Sequence, residues 1–92
     1  MRKEIVIMSK SFILFVVCYL YKSLNRDKYD SLIWSDFSDF CNYYIQSKYP
    51  PDFSFFVNYV FQKARMSRPK SFKFYMNFYR YLIKVDKILN MC

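Results

Sequence analysis

The sequence predicts an all-α fold, a compact bundle of about four helices in one domain over residues 1–92, with an apolar N-terminal helix packed centrally. Three observations lead there. Apolar residues recur at three- and four-residue intervals along most of the chain, the spacing of one face of a helix. Eleven Phe, ten Tyr and one Trp give a 92-residue chain enough apolar area to build a core near the lower size limit. Glycine is absent, and with it the residue that best tolerates the positive-φ positions of tight hairpin turns.

The first element falls within Glu4 to Leu24. Ser11 to Tyr21 (SFILFVVCYLY) is apolar on every side, with Arg2, Lys3 and Lys10 before it and Lys22, Arg26 and Lys28 after it. Eleven uninterrupted apolar residues fall short of the ~20 that cross a bilayer. Extending the run back to Ile5 would bury Ser9, Lys10 and Ser11 in lipid, which is costly. A buried central helix is therefore the first reading. A membrane-embedded helix over residues 5–24 and a strand built on Ile5-Val6-Ile7 and Val16-Val17 stand as alternatives.

After a charged break at Asn25 to Asp30, a second helix is expected from Asp30 or Ser31 to Ser47. Ile33, Trp34, Phe37, Phe40, Cys41, Tyr44 and Ile45 form its apolar stripe, and Asp36 and Asp39 fall on the polar side. Tyr49-Pro50-Pro51 ends it, because proline removes a donor and restricts its predecessor. A third helix starts near Pro51 or Asp52, with Asp52 at the positive end of the helix dipole. Phe53, Phe56, Val57, Val60, Phe61 and Ala64 give the clearest periodicity in the chain, opposite Ser54, Asn58, Gln62 and Arg65. A basic turn, Met66 to Lys70, leads to a last helix capped by Ser71 and reaching about Asn90. Its expected buried side is Tyr75, Phe78, Leu82, Val85 and Leu89; its polar side is Lys73, Asn77, Arg80, Lys84 and Lys87.

Several chemistries are excluded or disfavoured. Without glycine no P-loop or dinucleotide fingerprint can be written. Without histidine the usual general base and the commonest metal ligand are missing. No catalytic residues, no cofactor and no metal site are expected. Cys18, Cys41 and Cys92 lack the fourth ligand of a tetrahedral zinc site. Cys18 and Cys41 read as small buried side chains in a reducing, intracellular compartment, cytoplasm, nucleoid or nucleus, with a membrane association as the minor reading. Solvated carboxylates are the simpler account of Asp27, Asp30, Asp36 and Asp39, and Trp34, Phe37 and Tyr44 read as core. The preference for Phe, Tyr, Lys, Ile and Asn over Gly and Ala is the usage of an AT-rich genome, such as that of a virus, plasmid, organelle or parasite.

Charge carries the functional expectation. Residues 1–60 hold seven Lys or Arg and six acids, a net +1; residues 61–92 hold eight against Asp86 alone, a net +7. Like charge gathered on one element repels itself, and a polyanion relieves that repulsion. The expected surface comprises Lys63, Arg65, Arg68, Lys70, Lys73, Asn77, Arg80, Tyr81, Lys84 and Lys87. A helix, a basic turn and a longer basic helix have the general form of a helix-turn-helix unit, whose second helix would enter a groove while Arg65 and Arg68 reach phosphates. Tyr79 and Tyr81 would stack on unpaired bases if the ligand were single-stranded. A solvated lysine face is the plainer alternative.

The partner classes are nucleic acid or an acidic protein surface. Self-association or docking onto a larger assembly is also open, because so many aromatic residues strain the capacity of a small core. A viral or mobile-element inhibitor of a host nucleic-acid-binding factor is the alternative function. An accessory subunit of a membrane or ribosomal assembly is the third.

Overall fold

The computed structural model describes residues 9–91. Among them are four α-helices, α1 (Lys10–Asn25), α2 (Ser31–Ile45), α3 (Phe53–Arg65) and α4 (Pro69–Met91), a 3-10 turn at Arg26–Lys28, and no strand. The fold class is all-α, as the periodicity predicts. The Ile5-Val6-Ile7 part of the strand alternative lies outside the described residues; Val16-Val17 is helical. The chain divides into two compact units, Met1–Pro51 and Asp52–Cys92, each built on a pair of helices.

In the first unit, the Ser9 hydroxyl accepts from Phe12 N–H at 3.0 Å and starts α1. The Asp30 carboxylate accepts from Ile33 N–H at 2.9 Å and starts α2, one of the two caps expected there. Leu14, Val17, Cys18 and Tyr21 of α1 and Ile33, Trp34, Phe37 and Cys41 of α2 are buried. Tyr21 meets Phe37 at 5.9 Å between ring centres and Trp34 at 6.2 Å. Trp34 and Phe37 pack edge to face at 5.4 Å, a favoured aromatic geometry. The indole N–H of Trp34 donates to the Arg26 carbonyl at 3.1 Å, so the connection between the helices is fixed to the core it encloses. Burial, and secondarily Tyr29 beside it, raises the Tyr21 hydroxyl well above the ordinary tyrosine range.

The apolar surface that the sequence wraps right round α1 is buried on one side. Phe12, Phe15, Tyr19, Leu20 and Leu24 are exposed, and Phe15 stacks on Tyr19 at 6.0 Å. At 16 residues α1 is shorter than a bilayer span, and no described helix is long and apolar enough to cross a membrane.

The second unit is a helical hairpin. Phe56, Val57, Val60 and Ala64 of α3 and Phe74, Tyr75, Phe78 and Leu82 of α4 are buried. Phe56 meets Phe78 edge to face at 6.2 Å, and Phe61 meets Tyr79 at 5.2 Å. Phe56 and Phe78 each lie nine residues from the hairpin ends of their helices, ~14 Å along the axes, yet their rings touch. The helices therefore run alongside each other, antiparallel.

The turn itself is Met66 to Arg68, shorter than expected, and α4 starts at Pro69 rather than after Ser71. Proline suits a first helical position because its missing N–H would have no helical partner there. Phe72 N–H donates to the Arg68 carbonyl at 2.7 Å, closing that first turn. Met66 ends α3 at φ −94°, ψ 5°, and no described residue adopts positive φ. A chain without glycine thus closes its hairpins with residues of negative φ.

Helix α4 has 23 residues against 13 in α3. It outruns its partner by ten residues, ~15 Å. Full burial accordingly ceases at Leu82: Val85 is half-buried, and Leu89, expected in the core, is 51 % exposed.

Candidate nucleic-acid interface

Six of the ten expected contact residues fall on one face of α4. Taking Lys73 as the origin at 100° per residue, Lys70, Asn77, Lys84, Arg80 and Lys87 lie at about +60°, +40°, +20°, −20° and −40°. All six are exposed. Phe78, Leu82 and Tyr75 lie on the opposite side, at about 140°, 180° and 200°. The same periodicity that buries the aromatic stripe therefore lines up the cations. From Lys70 to Lys87 the stripe runs ~26 Å. Asp86, the one acid of this helix, stands about 140° away and is half-buried. No carboxylate interrupts the stripe.

The other four residues occupy different surroundings. Arg68 is exposed in the turn. Arg65 is exposed near the end of α3, its guanidinium 6.0 Å from the centre of the Phe61 ring. Lys63 is half-buried, its ammonium 5.4 Å from the centre of the buried Tyr75 ring, a cation–π contact inside the hairpin. Its carbonyl also accepts from the Ser67 hydroxyl, so Lys63 helps hold the turn. Tyr81 is half-buried at the edge of the stripe, with its ring stacked on Phe78 at 6.2 Å and 17°. Tyr79 is half-buried against Phe61. These two tyrosines, expected as stacking platforms, place ring surface in the hairpin core.

Electrostatically the two units differ. Residues 1–51 hold seven basic and five acidic residues, a net +2; residues 52–92 hold eight and two, a net +6. Asp36 and Asp39 are exposed on α2, and among the described residues no three His, Cys, Asp or Glu side chains gather as metal ligands. Two concavities lie in the first unit. One is an open depression of about 550 Å³ lined by Lys22, Arg26, Ser31, Trp34, Ser35 and Ser38. The other is a half-open recess of about 140 Å³ between α1 and α2.

Sequence reasoning missed the burial of Phe74. It precedes Phe78 by one helical turn and falls at about +100° on the same wheel, so the signal was present in the spacing. Compared with protein families, characterised proteins and solved structures, the chain matches none.

Proposed function

We propose that this chain is a non-enzymatic nucleic-acid-binding accessory protein whose contact surface is the basic face of α4 together with Arg65 and Arg68. One observation carries the reading: five cations, Lys70, Lys73, Arg80, Lys84 and Lys87, share an exposed ~26 Å stripe on which no acid stands. A straight row of cations suits a regular row of phosphates. Binding would proceed by displacement of condensed counterions, with little reading of base sequence. The inward packing of Tyr79 and Tyr81 favours a duplex backbone over splayed single-stranded bases, because stacking needs open ring faces.

The test is fluorescence anisotropy of labelled duplex DNA, single-stranded DNA and RNA across a salt series. The seven cations of this surface predict a log–log slope of affinity against salt of up to about −6 on duplex DNA. A flat salt dependence, or no binding at low salt by folded protein, would refute the proposal.

A second reading has its own support. Phe12, Phe15, Tyr19, Leu20 and Leu24 on α1 and Leu32 and Tyr43 on α2 are exposed. Tyrosine and other aromatics anchor protein interfaces, and exposed apolar side chains on a helical hairpin suit a protein-interaction module. In that case the basic face would meet an acidic protein surface. Tight stoichiometric binding to one protein, with negligible affinity for free DNA and RNA, would establish this reading in place of the first.

A further inference from the structure

Cys18 on α1 and Cys41 on α2 are 23 positions apart in sequence and face each other in the core of the first unit. The Cys18 thiol donates to Cys41 Sγ at 3.1 Å, and both side chains are buried. Two thiols in a protein interior need no such contact; either could be replaced by a small apolar side chain. A second observation concerns access. The recess of about 140 Å³ between the helices is lined by both sulfur-bearing residues, with Phe15, Tyr19 and Phe37 forming its apolar walls and Lys22 also on its lining. That volume admits a molecule the size of hydrogen peroxide. Burial, followed by the hydrogen bond from Cys18, raises the Cys41 thiol far above the ordinary range, so it resists ionisation and reacts slowly.

We propose that Cys18 and Cys41 form a peroxide-oxidisable dithiol that closes to an intramolecular disulfide and staples α1 to α2. The Cys18 sulfur, as its thiolate, attacks an oxygen of hydrogen peroxide, while Cys41 keeps its proton until the second step. The O–O bond breaks, a sulfenic acid forms and the first water leaves with the aid of a proton. The second sulfur then attacks the sulfenic sulfur, the S–O bond breaks and the second water departs. Two thiols lose two electrons and two protons in total, and one peroxide becomes two waters. The sulfurs need approach by only about 1 Å to reach bonding distance. This inference is independent of the nucleic-acid reading.

The experiment uses the full chain and its Cys92→Ser variant, purified reduced, treated with hydrogen peroxide, then denatured and labelled with a maleimide. The expected result is loss of two labelled sites with the chain still monomeric. The intact mass should fall by two hydrogens, and a peptide joining Cys18 to Cys41 should be restored to its halves by reductant. In the unsubstituted chain Cys92 serves as the comparison thiol. Oxidation of Cys92 while Cys18 and Cys41 stay fully labelled would overturn the proposal. So would oxygen added to either cysteine without a cross-link, or disulfides formed only between chains.

Discussion

The two helical hairpins of this chain solve the same packing problem and differ in what they show to solvent. Both bury aromatic side chains against one another: Tyr21, Trp34 and Phe37 in the first, Phe56, Tyr75 and Phe78 in the second. In the first, bases and acids nearly balance, and large apolar side chains such as Phe12, Phe15 and Leu24 are exposed among polar ones, as Phe55, Met66 and Ile88 are in the second. In the second, eight bases face two acids, and most of the bases follow one side of α4. The comparison teaches that core and charge are separable here. Core residues hold each hairpin together, whereas the polyanion role proposed for the second rests on the difference in charge.

Core truncation tests the common half of that statement and has the largest expected effect. Phe37→Ala in the first hairpin and Phe78→Ala in the second should each cost about 3–5 kcal/mol. That is a large share of the ~5–15 kcal/mol by which domains are stable. Urea titration followed by far-UV circular dichroism measures both. Trp34, the only tryptophan, reports the first hairpin by fluorescence. A loss below about 1 kcal/mol at either position would mean that the buried ring is not a structural anchor.

Alkaline pH sharpens the contrast. The raised Tyr21 hydroxyl keeps its proton in the folded state at a pH where an unfolded tyrosine loses it. The unfolded state then binds fewer protons, so this contribution is complete below the unfolded pKa of about 10 and lost as pH rises above it. Tyr21→Phe should make the stability of the first hairpin less dependent on pH above about 10, as read by thermal melts between neutral and alkaline buffers. An unchanged pH profile would show that Tyr21 ionises as readily folded as unfolded.

A smaller effect belongs to the caps. Asp30→Ala removes the acceptor for Ile33 N–H and should cost about 1 kcal/mol by urea titration. Smaller still, Tyr81→Leu should change single-stranded DNA affinity by much less than the ~1–3 kcal/mol that a stacked ring contributes. A loss of that full size would restore Tyr81 as a stacking platform.

Much of this molecule was legible in its sequence, and the failures have physical causes. The α3 stripe and the α4 polar face follow from a period of 3.6 residues, and five of the six stripe residues were named from it. The sixth, Lys70, was expected in a turn because Ser71 resembles an N-cap, whereas Pro69 is an equally good helix start. Leu89 satisfies the period but lies beyond the reach of α3, and helix length mismatch is not written in periodicity. In α1 every side is apolar, so spacing is silent about which side is buried. The meeting of Cys18 with Cys41 depends on the register between two helices, which neither helix encodes alone.

The most direct test of the central claim is a pair of charge-reversal variants measured by anisotropy on labelled duplex DNA. One variant carries Lys73→Glu, Arg80→Glu and Lys84→Glu on the α4 stripe; the other carries Lys10→Glu and Lys22→Glu on α1. The account predicts that the first variant remains helical, loses at least about a hundredfold in affinity at low salt and has a salt slope shallower by about 3. The second should bind within a few-fold of the unsubstituted chain. Equal losses in the two variants, or retention of duplex affinity by the α4 variant while it stays folded, would contradict the account.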